Sequence, residues 1–263
     1  MKTIGKMPKA IKNRLRYILA DIDDTLTLNG RLPAVVFAAM ERVQAADIRM
    51  IPITGRPAGW CDHIARMWPV DGIVGENGAF YFYYDCGQRK MKRRYFMAEE
   101  QRSADRERLA NLKIEILKKI PGCRVSADQR YREADLAIDY CEDVAPLPMA
   151  EVDRIVALFE AAGARAKISS IHVNGWFGDY DKLTMTRMLF AEVFKDDLEA
   201  VKEDVIFVGD SPNDVPMFQF FPHAVGVANI LQFKEKIMYS PAYVTRQEGG
   251  YGFAEMVDVI LAK

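Results

Sequence analysis

A short apolar run, Tyr17 to Ala20, breaks off abruptly at Asp21-Ile22-Asp23-Asp24-Thr25, and this junction constrains the fold more than any other segment. An apolar stretch without polar alternation is the pattern of a strand buried on both faces, and such strands belong to parallel sheets covered by helices. The pattern recurs along the chain. Pro33 suits the first turn of a helix on which Val36, Met40 and Val43 share one face. Ile48 to Ile53 read as a second strand, stopped by Thr54-Gly55-Arg56-Pro57, and Gly72 to Val74 as a third. Further on, Asp204 to Val208 is a strand ending at Gly209-Asp210-Ser211-Pro212-Asn213-Asp214, and Ala224 to Val227 is another. Strands alternating with helices predict an α/β fold with a doubly wound parallel sheet.

Between about residue 85 and residue 175 the rhythm changes. A helix near Ala104 to Ile120, with Leu109, Leu112, Ile116 and Ile120 on one face, precedes strand-like Arg124 to Ser126 and Leu136 to Tyr140. A second helix, Ala150 to Ala162, precedes Ala166 to Ile168 and Ile171 to Trp176. This helix-strand-strand repeat predicts an inserted α+β domain over residues 85–175, dividing the core into residues 17–84 and 176–263. The first sixteen residues hold six basic side chains and no acidic one, and read as a solvated basic arm. The remainder carries 30 basic against 37 acidic groups, a formal −7, which argues against extended binding to a nucleic-acid backbone. Cys61, Cys86, Cys123 and Cys141 form no Cys-x-x-Cys pair and read as reduced thiols. With no run of eighteen apolar residues and no signal-like apolar segment after the basic N-terminus, no membrane association is expected and the expected location is cytoplasmic.

Ligands of open α/β sheets bind beyond the carboxyl ends of the strands, and three of the expected strands end there in complementary polar groups. Asp21 and Asp23, one residue apart, can face one site while Ile22 packs away. Asp210 and Asp214 bring two more acids to the same edge. Clustered carboxylates repel each other unless a cation neutralises them, and such hard oxygen donors suit Mg²⁺ completed by water and a substrate phosphate. A carboxylate beside that cation can attack phosphorus, and a second acid can protonate the leaving oxygen and then activate water. Thr54 offers a hydroxyl, with a nearby backbone amide, to a phosphoryl oxygen, and Lys182 a point of positive charge. Taken singly, a strand-end Asp is as well explained as a turn cap, and most lysines are solvated.

Together DIDDT, ITGR, DYDK and GDSPND resemble the four motifs of the haloacid dehalogenase superfamily, in order and spacing, over residues 17–228. The resemblance implies a Rossmann-like core and phosphoryl transfer with Mg²⁺ as cofactor. It makes Asp21 the nucleophile and Asp23 the general acid/base. Asp21, the Asp23 carbonyl and Asp210 would be metal ligands, with Asp214 supporting. Thr54, Gly55, Lys182 and Asn213 would hold the phosphoryl group. Many relatives carry Gly where this chain has Asp24; its backbone amide can still face phosphate.

Thirty-three positions separate Asp21 from Thr54 and 128 separate Thr54 from Lys182, so the insertion follows the third strand. That placement resembles the second cap class of the superfamily, B subtype, which implies a small phosphorylated metabolite such as a sugar phosphate or phosphoglycolate. Within the insertion, Ser169 to Asn174 alternates polar and apolar residues, so His172 and Asn174 can share a strand face toward the substrate, with Arg56 a further candidate for specificity. A phosphatase is the leading expectation. A phosphomutase of the phosphomannomutase type and a non-catalytic phospho-ligand sensor are the alternatives.

Overall fold

The computed structural model of the chain describes residues 1–169, 171–235 and 237–262, so Ser170 of the Ser169 to Asn174 run lies outside the described residues. The chain opens with β1 (Lys2–Thr3) and α1 (Lys9–Arg14), then β2 (Tyr17–Ala20), α2 (Ala34–Ala45), β3 (Arg49–Pro52), α3 (Ala58–Met67) and β4 (Ile73–Gly75). A hairpin of β5 (Phe80–Asp85) and β6 (Lys90–Tyr95) leads to α4 (Glu99–Lys119), β7 (Arg124–Val125), β8 (Asp135–Asp139), α5 (Met149–Ala161), β9 (Arg165–Ile168) and β10 (His172–Trp176). Then follow α6 (Lys182–Leu189), α7 (Leu198–Val201), β11 (Val205–Gly209), α8 (Val215–Phe220), β12 (Val225–Gly226), β13 (Tyr243–Val244) and α9 (Gly249–Leu261). No helix among the described residues is long and apolar enough to cross a membrane.

The main sheet has the order β1-β13-β12-β11-β2-β3 and every pairing in it is parallel. β2 sits between β11 and β3, with Ile18 opposite both Ile206 and Met50. Alternation along the strands feeds two apolar clusters. Ile18, Ala20, Ile206 and Val208 pack with Val36, Met40 and Phe253 on one face, whereas Tyr17, Leu19, Val205 and Phe207 pack with Met185 and Leu189 on the other. Burying each such side chain stabilises the fold by roughly 1.5–3 kcal/mol, which explains why β2 contains no polar residue before Asp21.

The second sheet, ordered β7-β8-β10-β9, is antiparallel. Its one face carries Leu136, Ile138 and Val173 into an apolar cluster with Leu109, Leu112 and Ile116 of α4 and Val152, Ile155 and Phe159 of α5. Period-2 alternation turns Asp135, Asp139, His172 and Asn174 to the opposite face, yet all four are buried. That polar face meets the main sheet's carboxyl edge.

Two expectations change. The first sixteen residues do not form a solvated arm: β1 pairs with β13, Ile4, Met7 and Leu15 are buried, and the Lys12 ammonium donates to the Val259 carbonyl at 3.0 Å. The apolar residues spaced along this segment outweigh its charges. The expected insertion boundary at residue 85 also moves, because β5 and β6 form a three-stranded sheet with β4, and β4 is bridged in parallel to the end of β3 through Ile53 and Val74. The basic run Arg89 to Arg94 therefore edges the main sheet's side of the molecule, where Arg94 pairs with Glu192 at 3.2 Å and Arg93 with Asp62.

Candidate active site

Asp21 follows the last residue of β2, and its amide continues the sheet by donating to the Val208 carbonyl at 2.9 Å. The loop then folds on Ile22, whose carbonyl accepts from the amides of Leu26 and Thr27. Ile22 is buried in the core while Asp21 and Asp23 reach one cavity. Asp24 has φ 56°, a left-handed conformation that favours glycine and in which Asp is one of the tolerated exceptions. Its amide donates to Thr27 Oγ1 at 3.0 Å rather than facing the cavity for phosphate, and its carbonyl accepts from Asn229.

Lys182 is the first residue of α6, a helix capped by the Asp181 carboxylate, which accepts from the Thr184 amide. From there its ammonium donates to Asp21 Oδ1 at 2.7 Å and Asp214 Oδ1 at 3.1 Å. Burial alone lowers the pKa of this lysine, but the two carboxylates outweigh it and hold the lysine above its ordinary value. Two glycines make this approach possible. A Cβ on Gly78, at φ 107°, would lie 2.1 Å from the Asp181 carbonyl oxygen, and one on Gly209 would lie 2.4 Å from Asp214 Oδ2.

One carboxylate oxygen each from Asp21, Asp210 and Asp214 lie within 4.8 Å of one another. Burial, then the charges of Asp214 and Asp21, push Asp210 up to about 9, and burial also raises Asp21, to about 7, against the pull of Lys182. Asp210 accepts only neutral partners, the Thr25 hydroxyl at 3.2 Å and the Asn229 amide at 3.3 Å. Among the described residues no cationic side chain lies within 4.0 Å of it. A hard divalent cation fits this oxygen set, since it would supply the compensation that the side chains leave incomplete.

The cavity is bounded by Asp21, Asp23, Gly55, Arg56, Lys182, Asp210 and Asn213 from the main sheet's loops, and by Lys167, Ser169, His172 and Asn174 from the second sheet. Its free volume is about 50 Å³. Thr54 and Asp214 lie fully buried behind this lining rather than in it. Thr54 Oγ1 accepts from the Arg56 amide at 3.0 Å, and its own amide is taken by the Val74 carbonyl. Asn213 Oδ1 accepts from the Ser211 hydroxyl at 2.8 Å.

Arg56, expected as a specificity residue, is engaged otherwise. Its guanidinium donates to both oxygens of Asp23 at 2.7–3.1 Å and stacks 4.5 Å from the centroid of the Trp60 ring. The Asn174 amide is committed to Asp135 Oδ2 at 3.0 Å. His172 lies 2.8 Å from Glu142, but burial, then Arg132, push the imidazole down to about 4. It is therefore neutral at pH 7.

Several residues here escaped the sequence reading. Arg132, buried between Asp128 and Asp135, also donates to the Gly55 carbonyl at 3.1 Å. Glu76, buried after β4, accepts from the amides of Ala58, Glu133, Ala134 and Asp135. These bonds tie the second sheet's loop to the main sheet. Lys167 on β9 stands opposite Asn174 and its ammonium reaches the Asn213 carbonyl at 3.4 Å. For Glu76 the neighbouring Asn77-Gly78 was an available turn signal; Arg132 and Lys167 have none, because the loop before β8 brings the first to the cavity and the pairing of β9 with β10 the second.

No family profile matches the chain. It is 23% identical over 251 residues to phosphoglycolate phosphatase 1 of Saccharolobus solfataricus, covering 94% of this chain and 96% of that protein. The sucrose-phosphatase of Synechocystis, solved with sucrose and phosphate, shares the fold at TM-score 0.65 and 14% identity, covering 95% of this chain and all (100%) of that one. A haloacid dehalogenase-like hydrolase of Bacteroides thetaiotaomicron does so at TM-score 0.67 and 15% identity, covering 94% and 100%. These similarities show that the fold is shared end to end, and on it the four motifs that resemble those of the haloacid dehalogenase superfamily converge on one sheet edge.

Proposed function

We propose that the chain is a Mg²⁺-dependent phosphatase that removes the phosphoryl group from a small phosphorylated metabolite by way of an aspartyl-phosphate on Asp21. The observation that carries this reading is the Asp21 carboxylate, held at 2.7 Å by Lys182 and grouped with Asp210 and Asp214 beneath the cavity between the two sheets. The residues 98–176 that roof the cavity act as a cap of the B subtype.

An Asp21 oxygen attacks phosphorus, the ester P–O bond breaks, and its electron pair leaves on the alcohol oxygen, which takes a proton from Asp23. Asp23 then accepts a proton from water as that water attacks the aspartyl-phosphate. The bond to Asp21 breaks, releasing phosphate and the free carboxylate. Arg56, donating to both Asp23 oxygens, orients the ionised carboxylate as base for the second step, and one of those oxygens must be released to carry the proton given up in the first. Lys182 answers the charge spread over the transferring group, and Thr54, buried behind the lining, braces the loop by accepting from the Arg56 amide. Mg²⁺ held by Asp21 and Asp210, with Asp214 behind, would supply charge neutralisation and orientation of the phosphoryl oxygens.

The test is release of phosphate from p-nitrophenyl phosphate. Activity is expected with Mg²⁺, lost in EDTA, and reduced roughly 10³-fold or more in Asp21→Asn. Retention of most activity in that variant overturns the assignment of the nucleophile.

A further inference from the structure

The cations lining the cavity are not equivalent. Lys182 is neutralised by Asp21 and Asp214, Arg56 by Asp23, and Arg132 by Asp128 and Asp135. Among the described residues, Lys167 is the lining cation with no carboxylate within 4.0 Å; its ammonium has the Asn213 carbonyl at 3.4 Å. Lys167 is half-buried, and an ammonium partly withdrawn from water, with Asp214, Asp181 and Asp21 acting on it only from longer range, gains from an anion brought into contact. The transferring phosphoryl group already has Lys182 and the loops at the strand ends. Lys167 comes from the opposite wall, on β9, beside Ser169, His172 and Asn174, where the rest of the substrate must lie. His172 is neutral there and Asn174 is committed to Asp135, so neither supplies charge.

We infer that Lys167 recognises a second anionic group on the substrate, and that the substrate is therefore a short phosphorylated hydroxy acid rather than a neutral sugar phosphate. This rests on the phosphatase reading above and narrows it. The phosphate enters toward Asp21 and the carboxylate sits against the Lys167 ammonium, a charge-assisted contact made to the cap.

The experiment compares kcat/KM for phosphoglycolate and for 2-hydroxyethyl phosphate, which replaces the carboxylate by a neutral hydroxymethyl group of similar size. It uses the full chain with Mg²⁺, as wild type, Lys167→Met and Lys167→Arg. The wild type is expected to prefer phosphoglycolate by roughly 10- to 100-fold. In Lys167→Met the ratio should fall toward one, chiefly through KM for the acid, and Lys167→Arg should recover part of it. Because the ratio is read within one preparation, partial unfolding of a variant does not alter it. A wild type that hydrolyses both equally, or a Lys167→Met that loses both in parallel and keeps the ratio, overturns the inference while leaving the phosphatase intact. Inactivity of the wild type toward these two and p-nitrophenyl phosphate overturns the phosphatase reading and the inference with it.

Discussion

Gly78 shows how much of this site depends on a residue with no side chain. The Asp181–Lys182 peptide passes so close that a methyl group at position 78 would overlap the Asp181 carbonyl at 2.1 Å, and the φ of 107° is itself costly for any residue with a Cβ. Gly78→Ala is expected to cost at least about 2 kcal/mol of stability. It should also lower kcat more than it raises KM, because Lys182 is displaced from Asp21; urea unfolding together with steady-state kinetics reads both, and wild-type values in both would refute the argument. Asp24 makes the converse case. It occupies a left-handed conformation without a glycine, so Asp24→Gly should unfold within about 1 kcal/mol of wild type, whereas a β-branched Asp24→Val should lose more. The four motifs were legible in the sequence because each is a contiguous strand end whose residue types state their chemistry. Gly78 was not, since its reason is a peptide more than a hundred positions away.

Among the elements, the second sheet carries information that no single segment contains. β9 reads Arg-Ala-Lys-Ile, with nothing to distinguish Lys167 from a solvated lysine until antiparallel pairing sets it opposite Asn174. The hidden face of this sheet is polar yet buried: the period-2 pattern that set His172 and Asn174 on a face toward the substrate also covers Asp135 and Asp139. Arg132 organises that covering: its guanidinium satisfies Asp128 and Asp135, both largely withdrawn from water, and holds the Gly55 carbonyl. Arg132→Met would leave buried Asp135 without its cation and Asp128 with only Arg56 at 3.8 Å, and a loss of about 3–5 kcal/mol is expected. Hydrogen exchange should quicken in residues 126–137 and in the loop around Gly55. The half-exposed Arg106, 3.7 Å from Glu133, is the control: Arg106→Ala should change stability by less than about 1 kcal/mol. Equal effects of the two substitutions would show that burial does not set the strength of this tie. The N-terminal segment was misread for a related reason, because its six basic side chains were counted and the apolar spacing of Ile4, Met7, Ile11 and Leu15 among them was not.

For the molecule as a whole, the buried site makes stability depend on pH in opposing directions. Asp21 and Asp210 have carboxyls raised by burial, so their contribution to stability is fullest in acid and declines as pH rises through the raised values of about 7 and about 9. His172 works the other way. Its imidazole, 2% exposed, is pushed down to about 4 by burial and by Arg132, with Arg56 adding to the effect and Asp128 and Asp139 opposing it. An unfolded histidine takes up its proton near pH 6.5, so between there and pH 4 the unfolded chain binds the proton that the folded chain refuses. Stability from this residue is complete above about pH 6.5 and is lost as pH falls to about 4, an effect of about 3 kcal/mol. Because the acids shift in the reverse sense, the wild-type curve alone does not isolate the term. The difference between wild type and His172→Gln does: urea unfolding at pH 7, 5 and 4 should show that difference shifting by about 3 kcal/mol in favour of the variant as pH falls. A constant difference would mean that Glu142, 2.8 Å away, keeps the imidazole charged in the fold, and the roof of the cavity would then carry a cation beside Lys167.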